Sequence, residues 1–222
     1  MSLRSFIICG LALWAPPASA SASAAWTLGI AFGSAYNVPS TLRVEQDGED
    51  DLAMTAHYST KPWRGSPYYA ARLGRGPERG AWEAELIHHK LHLQNTTPEI
   101  PHFEATHGYN LVFVNRSVRR SDLRWRAGLG VVIIHLEGTV RGRSIRGRSG
   151  IFGSSYQPAG PAAQFGACLP IDLGGHFVLS PEIKLTGAYA SVPIEGGHVT
   201  VPNVALHGVV GIGYATGARR TR

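Results

Sequence analysis

Histidine is the residue type in this chain that is best suited to chemistry near neutral pH, because an imidazole can exchange a proton or bind a transition metal there. The chain has 10 histidines, and three of them, His88, His89 and His92, lie in the segment HHKLH. His107 and His207 follow at longer intervals. Since the ligands of one metal ion must meet in space, what these histidines can do depends on the elements that carry them.

Those elements are predicted to be β-strands, because apolar residues alternate with small or polar residues along much of the chain. In AWTLGIAFGSAY, Trp26, Leu28 and Ile30 share one face, whereas Gly29 and Ala31 share the other. The pattern recurs near 26–36, 67–75, 81–92, 107–119, 123–138, 161–173, 176–190 and 203–214. We therefore expect an all-β, antiparallel up-and-down barrel of eight strands. The pieces TLRVEQ and LAMTAHY would raise the number to ten if they were full strands.

The apolar face of this barrel is predicted to contact lipid. A soluble barrel of the lipocalin type also alternates, but its outer face needs many charges, whereas the second face here is largely Gly, Ala and Thr and suits a narrow lumen. Aromatic residues collect near the predicted strand ends, as in the girdles of a transmembrane barrel. They are Trp26, Tyr36, Trp82, Trp125, Phe177, Tyr189 and Tyr214. Short connections at 76–80, 119–122 and 173–175 alternate with long ones at 37–66, 93–106, 139–160 and 191–202, which predicts periplasmic termini.

The first 24 residues have the composition of a cleaved signal peptide, in which Arg4 precedes an apolar stretch and a run of small residues. Residues 25–215 would then form the barrel in the outer membrane of a Gram-negative bacterium, and residues 216–222 a basic periplasmic tail. Cys168 is the one cysteine outside the signal segment, so a disulfide framework is excluded. The net charge of +6 is modest, and the sequence lacks the aromatic and basic pattern of nucleic-acid binding.

Charged residues of both signs fall on the lumen side of the predicted strands in their periplasmic half. They are Arg72, Glu83, Glu85, Arg116, Arg124, Arg126, Glu182 and Lys184, with Asp172 at a strand end. Charges in a narrow lumen must pair, because an unpaired buried charge costs several kcal/mol. We therefore predict a structural ion-pair core that plugs the barrel, in preference to a proton or ion path.

The histidines map instead to outer strand ends and loops, with His176 as the exception. His89 and His207 are expected to face inward there, and His107 begins a neighbouring strand. These three, with Glu104 as an oxygen ligand, are the predicted site for a divalent transition metal. The alternative is a set of interfacial histidines that bind nothing.

Two outer loops carry opposite charges. RGRSIRGRSG places four arginines in the third outer loop, where they would bind lipopolysaccharide phosphates: Arg141, Arg143, Arg146 and Arg148. DGEDD places Asp47, Glu49, Asp50 and Asp51 in the first, where divalent cations that bridge those phosphates would bind. A solvated loop without a ligand is the alternative for both.

Five segments resemble the outer-membrane barrel family that includes lipid A oxidase. They are, in order, PYYAARLG, WEAELIHHKLH, HGYNLVFVN, SPEIKLTGAYA and NVALHGVVGIGY, and the resemblance covers roughly residues 67–215. It implies an OmpA-like eight-stranded barrel. If the activity carried over, it would imply an oxygen- and metal-dependent conversion of the proximal glucosamine of lipid A to 2-aminogluconate. The arginine-rich loop and the tail after Tyr214 depart from the family.

Three functions therefore stay open from the sequence. The primary hypothesis is a small barrel with a non-catalytic, structural or interaction role at the lipopolysaccharide surface. The alternatives are a metal-dependent lipid A oxidase and an adhesion or ligand-binding barrel. Other enzyme classes have little support, because the G-x-S-x-G, H-E-x-x-H and G-K-[ST] patterns are absent and Ser191 with His198 or His207 is only a loose esterase pair.

Overall fold

The computed structural model describes residues 25–77, 79–146, 156–194 and 196–216, so the predicted signal peptide and all but the first residue of the basic tail lie outside the described residues. The strands are β1 (Ala25–Val38), β2 (Ser40–Gln46), β3 (Leu52–Ala56), β4 (Tyr58–Ser59), β5 (Tyr69–Gly76), β6 (Gly80–Leu93), β7 (His102–Arg120), β8 (Leu123–Ile134), β9 (Glu137–Val140), β10 (Arg143–Arg146), β11 (Gln157–Cys168), β12 (Ile171–Gly174), β13 (Phe177–Ile194) and β14 (Gly197–Ala215). Among the described residues, no helix has the length and hydropathy needed to cross a membrane.

Eight strands close into an antiparallel ring in the order β1, β5, β6, β7, β8, β11, β13 and β14, with β14 paired back to β1. The predicted eight-stranded barrel is confirmed. The ten-stranded alternative is wrong, because β2 and β3 form a hairpin that pairs only with the far end of β14. The ladder between β1 and β14 continues to Thr216, whose amide donates to the carbonyl of Trp26 at 2.9 Å.

The outer face of the ring is apolar and the inner face of β1 is made of small residues, as predicted. Leu28, Leu129 and Ile183 are 63%, 62% and 64% exposed, which suits contact with lipid tails. From Trp26 to Tyr36, β1 extends roughly 33 Å, which a strand tilt of about 40° reduces to the roughly 25 Å height of a membrane barrel's apolar band. The short connections between β5 and β6, between β7 and β8 and between β12 and β13 lie at the Trp26 end, which is therefore periplasmic.

Beyond the Tyr36 end the wall continues away from the membrane as an outer cap, made of residues 40–59, 91–105, 136–146 and 190–201. The loop predicted at 191–202 is therefore largely strand, and residues 102–106 of the loop predicted at 93–106 belong to β7. The region 139–160 contains β10 and the start of β11. Inside the cap the polarity is reversed, since apolar side chains point inward and are at most 2% exposed. They include Leu42, Val44, Leu91, Phe103, Leu136, Val140, Val192, Ile194, Val199 and Val201. The cap is thus a water-exposed sandwich with its own core.

Leu42→Ala should loosen the cap without affecting the barrel below it. Removing a fully buried leucine costs about 3 kcal/mol, which would raise the cleavage rate by trypsin after Arg43 roughly 100-fold. Leu185→Ala, on the lipid-facing side of β13, is the matched control and should leave that rate unchanged. Equal cleavage of both variants and the wild type would show that the cap does not depend on this core.

Candidate functional site

Six of the predicted lumen charges form one buried ion-pair core. Arg72 Nη2 lies 2.6 Å from Glu85 Oε1 and 2.8 Å from Glu182 Oε2. Arg126 pairs with both Glu83 and Glu182, and Lys184 Nζ lies 2.5 Å from Glu85 Oε1. Because lipid surrounds this part of the wall, the charges pair with one another and are not solvated by water.

Two neutral residues that the sequence reasoning missed complete this core. The side-chain amides of Asn115 and Gln164 donate to Glu85 Oε2 at 3.0 Å and 2.7 Å. Gln164 also donates to Asn115 Oδ1 at 2.7 Å. Their inward parity on β7 and β11 is the signal by which they could have been found.

Two predicted lumen charges lie elsewhere, and a third lies at the edge of the core. Arg116 faces outward and its guanidinium lies 5.7 Å from the ring centre of Trp82, because an arginine near the membrane surface gains from stacking on an aromatic ring. Asp172 is exposed, and its Oδ1 accepts a hydrogen bond from the amide of Gly174 at 2.9 Å. Arg124 faces the lumen and donates to Ser117 Oγ at 3.1 Å.

A cavity of about 400 Å³ lies between the ion-pair core and the periplasmic end of the lumen. The small residues of β1 and β14 line it, as does the buried thiol of Cys168. Arg119 and Arg124 lie on its wall. The cavity is therefore a basic vestibule that ends at the core.

Above the ion-pair core, His89 and His207 form a second, uncharged layer. Both are 0% exposed, and their ring centres are 5.1 Å apart. His207 Nδ1 lies 2.7 Å from Tyr68 Oη, and its Nε2 lies 2.8 Å from Thr186 Oγ1. His89 Nε2 lies 2.9 Å from Asn37 Oδ1. Each imidazole has a hydrogen-bond partner inside the closed lumen, where an ion from outside has no direct access.

The predicted metal ligands consequently do not converge. Glu104 lies on the outer cap, where its carboxylate is 3.1 Å from His92 Nδ1 and 3.5 Å from His102 Nε2. Burial lowers the pKa of His92, although Glu104 acts in the opposite direction. The fourth predicted ligand, His107, is exposed on the outer surface, away from both the lumen histidines and Glu104.

A β-bulge explains why His107 faces outward. His89 pairs with Tyr109 and Leu91 with Ala105, so that three residues of β7 oppose one residue of β6. Gly108 has a φ of 131° within the bulge, and an added Cβ would lie 2.1 Å from the side-chain nitrogen Nδ2 of Asn110. The bulge thus needs glycine at this position, and it turns the side chain of His107 to the outside of the barrel.

His107 meets His135 and Glu137 on the outer surface. One ligand atom from each of the three lies within 4.8 Å of the others. His135 Nε2 is 3.2 Å from Glu137 Oε1, and the two imidazole rings are 5.1 Å apart. His135 and Glu137 are two residues apart in an extended chain, a spacing that puts both side chains on one face and that could have revealed the pair from sequence.

This cluster lies at the height of the lipid headgroups. Val131, which lies on β8 four residues before His135, is 46% exposed in the apolar belt. Given the rise and tilt of a barrel strand, His135 lies about 10 Å higher above the membrane centre than Val131. The cluster therefore lies among the headgroups, just above the hydrocarbon region of the membrane.

The wall has a gap at nearly the same height. β1 pairs with β5 up to Phe32 and with β4 only at Tyr36, so no strand joins the wall between these two residues. Residues 60–68, here called the wall segment, fill the gap. The hydroxyl of Thr60 donates to the carbonyl of Ala35 at 2.9 Å, and Lys90 Nζ donates to the carbonyls of Arg64 and Ser66.

The wall segment carries Trp63 on the lipid side of the gap. Its side chain is 69% exposed, and its ring is stacked on Phe32 with 6.3 Å between centroids. Lys61 and Arg64 flank it in sequence. The segment thus presents an aromatic ring and two cations at the outer girdle, where tryptophan is favoured.

The charged loops lie farther out and contact each other. Arg141 donates to Gln46 Oε1 at 3.3 Å and to the carbonyl of Asp50 at 2.5 Å, and Arg143 Nη2 lies 3.6 Å from Glu49 Oε1. Arg141 therefore holds the β2–β3 hairpin to the β9–β10 hairpin. The side chain of Arg146 and the whole of Arg148 lie outside the described residues.

Lys184→Met should destabilise the barrel by about 3–5 kcal/mol, because it leaves the carboxylate of Glu85 short of a partner in a buried core. The midpoint of urea unfolding in lipid vesicles, followed by tryptophan fluorescence, measures this loss. Arg116→Met is the control, since it removes a cation that faces away from the ion-pair core and stacks on Trp82, and it should cost less than about 1 kcal/mol. Similar losses in both variants would mean that the ion-pair core contributes no special stability.

Lys90→Met should release the wall segment, because the carbonyls of Arg64 and Ser66 lose a charged donor worth about 1.5–3 kcal/mol each. Trypsin should then cleave after Arg64 at least 10-fold faster in intact vesicles. Arg143→Met removes a cation from the distant cap and should not change cleavage at this bond. An unchanged rate for Lys90→Met would show that Lys90 does not hold the segment.

Comparison with solved structures supports the architecture. The outer-membrane protein AlkL, solved in lipid bilayers by solid-state NMR, shares 11% identity with this chain over 94% of it and 98% of AlkL, with a TM-score of 0.50. The outer membrane protein OprG from Pseudomonas aeruginosa shares 12% identity over 87% of this chain and 96% of OprG, with a TM-score of 0.49. No family model and no curated protein matches the sequence. The fold and the exposed apolar belt together identify an eight-stranded transmembrane barrel of the outer-membrane type.

Proposed function

We propose that this chain is a non-catalytic barrel that binds the lipopolysaccharide surface through its outer rim. The observation that carries the proposal is the wall segment, in which Lys61 and Arg64 flank an exposed Trp63 at the outer girdle. Lipid A carries its phosphates at this height. A lysine or arginine close to an anionic membrane surface contributes about 1 kcal/mol to binding.

The position of the wall segment makes it a better candidate for contact with lipid A than the arginine-rich loop. The stacking of Trp63 on Phe32 keeps the segment against the membrane, and Lys90 fixes its backbone from the side of β6. Arg141, in contrast, binds the neighbouring hairpin of the cap. Phosphate binding by Arg143, Arg146 and Arg148 stays a prediction.

The interior also favours an interaction role. Side chains fill the described lumen at three levels: the ion-pair core, the layer around His89 and His207, and the apolar core of the cap. A path for solute along the axis would have to disrupt each level. The chain is better suited to present a rigid rim than to conduct.

Lipid A oxidation remains the alternative, but it needs a different metal site from the predicted one. His89 and His207 lie inside the closed lumen, whereas a sugar of the outer leaflet lies outside it. The exposed cluster of His107, His135 and Glu137 is what favours the alternative, because it lies at headgroup height. Mass spectrometry of lipid A from cells with and without the protein separates the two functions: a gain of one oxygen atom on the proximal sugar supports oxidation, and identical spectra exclude it. Adhesion through the outer loops stays a hypothesis.

The double variant Lys61→Gln/Arg64→Gln should bind lipopolysaccharide roughly 30-fold more weakly, since two contacts of about 1 kcal/mol are lost. The affinity of the purified protein in detergent for fluorescently labelled lipopolysaccharide measures this. Arg79→Gln/Arg120→Gln is the matched control, because it removes the same charge from exposed positions at the periplasmic turns.

Dephosphorylated lipopolysaccharide should abolish the difference between the wild type and the Lys61→Gln/Arg64→Gln variant. If the control variant weakens binding as much as the test variant, the attraction comes from net charge and the proposed contact is wrong.

A further inference from the structure

We propose that His107, His135 and Glu137 form a binding site for one divalent transition-metal ion on the outer surface of the barrel. The three side chains come from the bulge of β7, from the residue that follows β8 and from the start of β9. Their ligand atoms lie within 4.8 Å of one another, a spacing that small rotations of the side chains can close around an ion. The site does not depend on the proposed lipopolysaccharide contact, because metal binding needs no lipid.

The donor set selects the class of metal. Two imidazole nitrogens and one carboxylate oxygen suit Zn²⁺, Co²⁺, Ni²⁺ or Fe²⁺ better than Ca²⁺ or Mg²⁺, which prefer oxygen ligands alone. Three protein ligands leave at least one coordination position open. At headgroup height that position is accessible to water or to an oxygen of a lipid headgroup.

The surroundings of the cluster hold it in place. The amide of His135 donates to the carbonyl of Gly108 at 3.0 Å, which ties the two ligand-bearing strands together at the bulge. The ring of Tyr156 meets the ring of His135 edge-on with 5.2 Å between centroids, and its hydroxyl donates to the carbonyl of His107 at 2.9 Å. Such contacts orient the ligands around a metal ion.

One buried nitrogen gives independent support. His135 Nδ1 is buried and has no hydrogen-bond partner among the described residues, while its Nε2 is close to Glu137. A buried polar atom without a partner is costly, and an ion coordinated by Nδ1 would supply the missing partner. The imidazole of His135 therefore has a ring nitrogen that can bind an ion.

The site is tested by titrating the detergent-solubilised protein with Zn²⁺ and with Co²⁺, in competition with a chromophoric chelator. The wild type should bind about one ion per chain tightly, and the Co²⁺ absorption spectrum should show nitrogen ligation. His107→Ala, His135→Ala and Glu137→Gln should each weaken binding at least about tenfold, since even the loss of an outer-sphere partner has an effect of that size.

His57→Ala removes an exposed histidine between β3 and β4, and it should bind Zn²⁺ like the wild type. Glu137→Gln keeps the size of the side chain, so it tests the site even if a histidine variant fails to fold, which heat-modifiable migration on gels would reveal. Gly108→Ala removes no ligand, yet it should weaken binding because it disturbs the bulge. Wild-type affinity in the three ligand variants, or no bound ion in the wild type, would overturn the proposal.

Discussion

Closure of the eight-stranded ring is the constraint on which the rest of the molecule depends. Pairing of β14 with β1 leaves the spanning part of the wall without a free strand edge, because lipid offers no partner for a backbone amide or carbonyl. A closed ring of eight strands has a narrow lumen. The inward side of β1, made of glycine and alanine, leaves room there for long charged side chains such as Arg72 and Arg126, which must then find their partners inside.

The solvent outside the ring decides the polarity of each face. Along β14, His207 and Asn203 point inward while Leu206 and Val204 face lipid. Past the outer girdle Val201 and Val199 point inward on the same side of the same strand. The parity of the strand does not change, but water replaces lipid outside, so the apolar side chains move to the interior. The result is a barrel that is a membrane protein below and a small soluble β-sandwich above.

The candidate sites lie where the regular wall is interrupted. The bulge at 106–108 turns His107 outward, and the gap between β4 and β5 brings Trp63 and its flanking cations to the membrane surface. A regular barrel strand has only two directions in which to present a side chain. Bulges and gaps supply the other directions, which is why such irregularities tend to accompany function.

The sequence alone predicted eight strands, with ten as the alternative, the lipid-facing side and most of the lumen core, because alternation with a period of two is a local property that survives small errors in strand ends. It did not determine the face of Arg116, whose position at the membrane surface depends on Trp82 in the neighbouring strand. Nor did it reveal the cap or the cluster around His107, His135 and Glu137. Those depend on the register between strands and on a bulge, and both are set by pairing across the sheet, which alternation in one strand cannot encode.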